Sequence, residues 1–361
     1  MNTALDYIYW RGDLTFEQDP FNEIDALILS GFSYIDFNLL ADEALASDKL
    51  TIHLAAELWD KVDREVFMPT GYLLHKKAYD ALTLAGSSKR FKDILIKRDI
   101  KYFSVEDESQ FGATIFHYNG LPLFIAFEGT DLRSLSWKED LQMSYLPQIP
   151  SQRLAAEVLE EHFEQYPYPV SIGGHSKGGN LAIYGAIFIE RDRQKYLDKI
   201  YSFDSPGFRK SLLKNEHYKN IVNKIYSYVP QDAIIGLLMH KLEEHLIVYS
   251  QASDSRQHDF FSWEIQGSEF VSSELTDSAL QIQELISQVY DELSIDELEH
   301  FSEALFKVIG DGEEDYIFGD RHFHLEKIPR IIIEFTNLSS ESRSILLKVL
   351  RIFYRKRLEL F

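Results

Sequence analysis

The chain contains no cysteine among its 361 residues. Disulfides, thiolate metal sites and thiol nucleophiles are therefore excluded. The first twenty residues lack a basic region followed by an apolar stretch, so they do not resemble a signal peptide. No apolar run approaches the roughly 20 residues that a membrane-spanning helix needs. These absences predict a cytoplasmic protein.

Positive charge is also scarce. The sequence has 37 Lys and Arg against 58 Asp and Glu, which gives a net charge of -21. Because binding to phosphates needs a basic surface, a nucleic-acid partner is not expected. Hydrophobic residues make up 45% of the chain, with 25 Phe and 20 Tyr. That composition supports a sizeable core and argues against disorder.

Hydrophobic periodicity changes along the chain. Helical spacing is found over 21–31, 41–62, 72–99, 151–166 and most of the last ninety residues. Strand-like runs cover 113–118 and 121–127 around an Asn-Gly turn, then 170–173, 199–207, 223–232 and 244–253. Strands alternating with helices predict an α/β domain with a largely parallel sheet. We expect one compact unit with a helical N-terminal segment (1–100), an α/β core (101–275) and a helical C-terminal extension (276–361).

One junction stands out, "YPVSIGGHSKGGNLAIYGA" at 168–186, where a strand-like run meets glycines and then a helix-like run. Residues 174–178 match G-x-S-x-G around Ser176, a pattern that occurs by chance in roughly one in ten chains of this length. A strand before and a helix after are what a nucleophile elbow requires, and Gly174, Gly178 and Gly179 would avoid collisions in its sharp turn. An ordinary tight turn is the alternative. Phosphate binding is disfavoured, because no G-x-x-x-x-G-K-[ST] is present.

A serine nucleophile needs a base and an orienting carboxylate, which in this kind of fold follow it in the chain, acid first. Asp204 and Asp232 both end predicted strands. His258 lies in the loop "DSRQHDFFSW" beyond the last strand, which favours it over the other downstream histidines: His217, His240, His245, His300, His322 and His324. Position in the chain favours Asp232 with His258, and Asp204 is the alternative acid.

The start of the helix after Ser176 supplies backbone N–H groups and a positive dipole end. The N–H of Lys177 is therefore a natural donor to an oxyanion. His175 completes the elbow sequence.

Five segments, "FIAFEGTD", "SWKEDLQMSY", "GGHSKGGNLA", "VPQD" and "QHDFFSW", resemble in sequence and order the Mbeg1-like family of bacterial class 3 lipase-like α/β hydrolases. The resemblance covers most of residues 5–270. It implies an α/β-hydrolase fold in which Ser176 is the nucleophile, Asp232 the acid and His258 the base. Asp204 falls where the lipases usually have an uncharged residue.

The same resemblance implies a second oxyanion donor at Thr130 in "AFEGTD", with Trp137 and Asp140 matching the Trp and Asp that follow in class 3 lipases. Asp140 would then hold the Thr130 loop, and Trp137 would either do the same or pack in the core. Glu128 stands where many class 3 lipases carry arginine.

The implied activity is hydrolysis of an acyl ester through a covalent acyl-enzyme, without a cofactor. Residues 131–150 occupy the lid position and are mixed polar and apolar, which predicts a modest cover. A thioesterase or other acyl hydrolase uses the same triad. A catalytically silent binding module remains a further alternative.

Two other features have simpler interpretations. His322 and His324 could face one side of a strand as metal ligands, but no third ligand has suitable spacing, so a polar turn is preferred and no metal is expected. The run "LLKVLRIFYRKRLELF" at 346–361 is basic and amphipathic. It would ordinarily pack on its own domain, and a weak contact with a membrane surface is the alternative.

Overall fold

The structure, a computed structural model, describes residues 2–63, 73–131, 133–309 and 335–359. One sheet of seven strands has its strands side by side in chain order: β1 (Leu95–Ser104), β2 (Ser109–Tyr118), β3 (Leu121–Phe127), β4 (Val170–His175), β5 (Leu197–Phe203), β6 (Ile225–Pro230) and β7 (His245–Val248). A separate two-stranded ribbon consists of β8 (Ile265–Gln266) and β9 (Glu269–Phe270).

The α-helices fall into three groups. An N-terminal group precedes the sheet: α1 (Ala4–Arg11), α2 (Glu23–Phe32), α3 (Phe37–Ala46), α4 (Ile52–Trp59) and α5 (Leu73–Ser87). A second group connects the strands: α6 (Ser134–Gln142), α7 (Pro150–Gln165), α8 (Lys177–Phe188) and α9 (Glu216–Ile221). A C-terminal group follows the sheet: α10 (Asp277–Glu292), α11 (Ile295–Ile309) and α12 (Ser340–Glu359).

Strand direction divides the sheet into two parts. β1, β2 and β3 pair antiparallel, and β2 turns into β3 at Asn119 and Gly120, both at positive φ as a tight hairpin turn requires. From β3 to β7 every pairing is parallel, with helices crossing between β3 and β6. All six residues of the central strand β4 are buried. The predicted α/β fold, with a largely parallel sheet flanked by helices, is confirmed.

The N-terminal prediction is wrong in one respect. Residues 95–104 form β1, although helical spacing was expected to continue to 99, and α5 ends at Ser87. Lys, Arg and Leu in this segment favour a helix locally, but pairing along β2 from Leu95 to Ser104 decides the conformation. The sheet therefore begins before residue 101. The predicted helix over 41–62 is likewise two helices, α3 and α4.

Helices cover both faces of the sheet. The N-terminal helices share one apolar core with residues of six strands of the sheet and with 260–265, while α7, α8 and α9 pack on the opposite face. A buried ion pair joins the N-terminal group to the loop after α5, because Arg90 donates to both oxygens of Asp25 at 2.7 and 2.5 Å. Neither side chain is exposed. Removing one member of such a pair typically costs about 3–5 kcal/mol, so this contact fixes α2 against the chain that leads into β1.

The C-terminal helices form a smaller cluster of their own. Buried residues of α10, α11 and α12 pack with Tyr145, which follows α6 in the chain. The outer side of α12 exposes Leu347, Leu350 and Tyr354. The weak membrane contact expected for this helix stays a prediction. Within the described ranges no single helix is long and apolar enough to span a membrane, and only the bent pair α2–α3 would pass by length and composition.

Candidate active site

Ser176 occupies a sharp turn between β4 and α8. Its φ is 56° and its ψ is -131°, a conformation that non-glycine residues rarely adopt. A Cβ atom at Gly174 would lie 2.5 Å from Phe127 O, and side chains at Gly178 and Gly179 would collide with Phe127 O and Ser205 Oγ. The glycines are therefore required by the close approach of neighbouring chain segments. The arrangement is a nucleophile elbow.

His258 faces Ser176 across the edge of the sheet. Its Nε2 lies 3.0 Å from Ser176 Oγ, and its Nδ1 lies 2.6 Å from Asp204 Oδ2. In a neutral ring this geometry assigns the Nδ1–H as donor to the carboxylate and leaves Nε2 to accept from the serine hydroxyl. Serine, histidine and aspartate thus form one unbroken hydrogen-bonded chain.

Asp204 directly follows β5, the strand beside β4. It has a φ of 46° and is 1% exposed. Its Oδ1 accepts from the N–H of Gly236 at 2.9 Å, and its own N–H donates to Tyr228 O at 2.8 Å. The carboxylate is therefore fixed from two sides with one oxygen aimed at His258.

The prediction that Asp232 orients His258 is wrong in this structure. Asp232 accepts from the Thr276 hydroxyl, and Gln257, the neighbour of His258, turns its side chain towards it. The physical reason is strand order. Asp204 follows β5, which lies next to β4, whereas Asp232 follows β6, which lies one strand beyond β5. Asp232 therefore starts about 5 Å further from β4 than Asp204 does. The alternative acid, Asp204, is the residue that the fold brings to the histidine.

Thr130 lies three residues beyond β3, which pairs with β4 on the other side. Its hydroxyl donates to Asp140 Oδ2 at 2.5 Å. Among the residues that the structure describes, neither the Thr130 N–H nor the Lys177 N–H has a hydrogen-bond partner. Both predicted oxyanion donors therefore remain available beside the elbow. Their role is part of the proposal below.

Asp140 and Trp137 lie on α6, where Asp140 is held by the contact with Thr130. Burial raises the pKa of Asp140 to about 7, against the opposing attraction of the Lys177 ammonium. Trp137 is half-buried, so it is not the core residue that one interpretation expected.

The side chain of Lys177 has a role that the sequence did not suggest. It is fully buried, and its Nζ donates to Glu139 Oε2 at 2.9 Å and to both oxygens of Gln110 at 2.8 and 2.7 Å. Burial alone would raise the pKa of Glu139, but the Lys177 charge and four donated hydrogen bonds place it below its ordinary value. A lysine in the first turn of a helix is unfavourable, because its charge opposes the helix dipole. This unfavourable position is the feature of the sequence that indicates an acidic partner for Lys177.

The segment 131–150 was expected to be a modest cover. Its helix α6 is anchored from inside by the Glu139–Lys177 pair, and Tyr145 beyond it packs among the C-terminal helices. Glu128, at the position where arginine is common in class 3 lipases, forms an ion pair with Lys101 at 2.8 Å. The contacts of Glu139 and Tyr145 thus anchor the described part of the segment at two points.

The remaining candidates lie elsewhere. A cavity of about 340 Å³ is bounded by Leu237, Met239 and α10, and Ser176, His258 and Asp204 do not line it. His322 and His324 lie outside the described residues. Nowhere in the described ranges do three or more metal-ligating side chains converge. In the described part of the chain, His217, His240, His245 and His300 form no hydrogen bond with Ser176, whose hydroxyl lies beside His258.

The fold and site define a class: a parallel sheet with a serine elbow after its central strand and a histidine and aspartate supplied by later loops is an α/β-hydrolase fold. A family model described as Mbeg1-like matches residues 85–307, more than half of the chain, and the chain belongs to that family. The crystal structure of M37 lipase is similar at 12% identity and a TM-score of 0.36, over 60% of this chain and 70% of the lipase chain. No curated protein matches the chain.

Proposed function

We propose that the protein is a serine hydrolase that cleaves carboxylic esters through an acyl-enzyme. The observation that carries the proposal is the continuous Ser176–His258–Asp204 chain, with both distances in the range of a hydrogen bond. A serine held on a strained elbow with a base and an orienting acid is the arrangement needed to make a hydroxyl nucleophilic.

In the first step His258 Nε2 takes the proton of Ser176 as Oγ attacks the ester carbonyl carbon. Asp204 holds the ring in the required tautomer and stabilises the imidazolium that forms. The carbonyl π electrons move to oxygen, and the backbone N–H groups of Lys177 and Thr130 donate to that oxyanion.

The intermediate then collapses. The bond to the leaving alcohol breaks, and His258 gives its proton to that alcohol. Water then attacks the acyl carbon as His258 takes a proton from it. The bond between that carbon and Ser176 Oγ breaks, His258 returns the proton to Oγ, and the carboxylic acid is released.

Lys177 and Asp140 prepare the site rather than react. The buried Lys177–Glu139 pair fixes the first residue of α8, whose N–H is the proposed oxyanion donor. Asp140 holds Thr130 through its hydroxyl. Both donors are thus set before substrate arrives, which is how an oxyanion hole lowers a barrier.

The test is turnover of p-nitrophenyl esters of increasing chain length. We expect a burst of p-nitrophenol equal to the enzyme concentration, a mass increase of one acyl group on Ser176, and loss of at least about 10³-fold in kcat for Ser176→Ala. A folded protein that hydrolyses none of the esters, or whose Ser176→Ala variant keeps full activity, would contradict the proposal. Parallel assays with matched acyl thioesters distinguish an esterase from a thioesterase.

A further inference from the structure

His175, the residue before the proposed nucleophile, makes contacts that the elbow itself does not require. The motif G-x-S-x-G leaves this position open. Here the side chain is 1% exposed, and its ring packs against His258 with 4.4 Å between ring centroids and against Phe260 at 4.8 Å. The residue thus faces the base, not the substrate side of the turn.

Two hydrogen bonds fix the tautomer of His175. Its Nε2 lies 2.8 Å from the backbone oxygen of His258, and a carbonyl oxygen only accepts, so Nε2 carries the proton. Its Nδ1 lies 2.8 Å from Tyr34 Oη. In the neutral ring Nδ1 is an acceptor, so the tyrosine hydroxyl donates to it. Burial, with repulsion from His258 second, holds the pKa of His175 well below its ordinary value, in agreement with the neutral ring.

The backbone of His258 needs such support. It ends a short 3-10 turn, Asp254–His258, outside the sheet. The neighbours on each side are tied down, since Trp263 Nε1 donates to Gln257 O at 2.8 Å and Lys77 pairs with Asp259 at 2.5 Å. The bond from His175 fixes His258 itself. A shift of about 1 Å in a catalytic group can cost roughly a hundredfold in rate.

The hydroxyl of Tyr34 lies between His175 and the loop after β3. A Cβ atom at Gly129 would collide with Tyr34 Oη, so the same hydroxyl also sits against the loop that carries Thr130. Tyr34 belongs to the N-terminal segment, outside the residues 85–307 that match the family model. The turn between α2 and α3 therefore reaches the site through the Tyr34 side chain.

We propose that Tyr34 and His175 act together as positioning residues, fixing the backbone of His258 so that its ring stays between Asp204 and Ser176. The inference rests on the proposed function, because it needs His258 to be the base. It assigns the N-terminal segment a part in the reaction. In the described structure neither side chain hydrogen-bonds to Ser176 or to the ring nitrogens of His258.

The test compares Tyr34→Phe, His175→Phe and His175→Gln in steady-state ester hydrolysis. Tyr34→Phe removes the hydroxyl that donates to His175 Nδ1, so the proton of the His175 ring is no longer held on Nε2. His175→Phe removes the hydrogen bond to the His258 backbone oxygen. We expect both to lower kcat by at least about tenfold with little change in KM. His175→Gln restores a donor near the Nε2 position, so it should recover most of kcat. A role limited to stability would give no such rescue.

Tyr201→Phe is the matched control. Tyr201 is 1% exposed, and its hydroxyl has no hydrogen-bond partner in the described part of the chain, so kcat should be unchanged. Melting temperatures show whether each variant is folded. If His175→Phe does not fold, the kcat values of Tyr34→Phe and His175→Gln test the positioning role. If wild type hydrolyses esters and Tyr34→Phe and His175→Phe match it in kcat, the positioning role is wrong while the proposed function stands. If wild type is inactive, the proposed function itself fails.

Discussion

Ser176 and Asp204 share an uncommon backbone conformation. Their φ values are 56° and 46°, and each residue directly follows one of two adjacent parallel strands. Positive φ costs a non-glycine residue on the order of 1 kcal/mol, and the surrounding structure must hold it. Both residues are buried, and their backbones are hydrogen-bonded to neighbouring strands. Of the seven non-glycine residues at positive φ in the described part of the chain, two are thus the residues whose side chains face His258.

The sequence could predict the serine and the histidine of this site but not the acid. G-x-S-x-G identifies Ser176 through local sterics, and a loop beyond the last strand identifies His258. Asp204 and Asp232 both end strands, and position in the chain and the family resemblance both favour Asp232, which is not the residue that meets His258. Only strand order separates them, and strand order is set by pairing between distant segments.

Replacing each aspartate by asparagine distinguishes their roles. Asp204→Asn should lower kcat by about 10³–10⁴-fold, because an amide leaves His258 in the wrong tautomer. Asp232→Asn should stay within about threefold of wild type, since its contacts are with Thr276 and Gln257. Activity assays on both folded variants check this. If Asp232→Asn instead lost more of kcat than Asp204→Asn, Asp232 would be the acid.

At the scale of elements, the sheet illustrates why local patterns mislead. The segment 95–104 carries charged residues between apolar ones and has no clean alternation of burial. It is an edge strand of the sheet whose outer side makes only local contacts, such as the Ile96 N–H donating to Leu50 O at 2.8 Å, so polar residues are tolerated. The central strand β4, buried at every residue, was easier to predict because both faces need small or apolar side chains.

Helix α7 and strand β2 meet at a pair of buried histidines. His117 and His162 are 3% and 4% exposed, and their Nε2 atoms lack partners among the described residues. Burial lowers the pKa of each histidine to about 4. The charge of Lys97 lowers the pKa of His117 further, and His117 has the same effect on His162. The ring of Tyr166 lies against both. Both imidazoles are therefore neutral in the folded protein above that pH.

This pair predicts a loss of stability in acid. The unfolded histidines bind protons below about pH 6.5 and the folded ones only below about 4, so the stabilisation present above 6.5 is lost as the pH falls to 4. The loss should be about 3 kcal/mol for each histidine. Urea unfolding at several pH values should show a shallower slope for His162→Phe than for wild type. The half-exposed His53, replaced by glutamine, serves as the control, and equal slopes for wild type and His162→Phe would disprove the assignment.

At the scale of the whole molecule, the N-terminal helices, sheet and C-terminal helices are joined by contacts that reach the site. The Asp25–Arg90 pair fixes α2 against the chain before β1, and Tyr34, which follows α2, hydrogen-bonds to His175. Tyr145, which follows α6, packs against the C-terminal helices. Periodicity could predict the three parts of the chain in order. It could not predict these contacts, because each joins residues far apart in sequence.

The central claim is that Ser176 is an activated nucleophile, and labelling of the full chain with a fluorophosphonate probe tests it most directly. The probe reacts covalently with a serine whose proton a neighbouring base removes. The account predicts one label per chain, mapped by mass spectrometry to Ser176 and absent in Ser176→Ala. A folded protein that stays unlabelled, or one labelled at another serine, would contradict it.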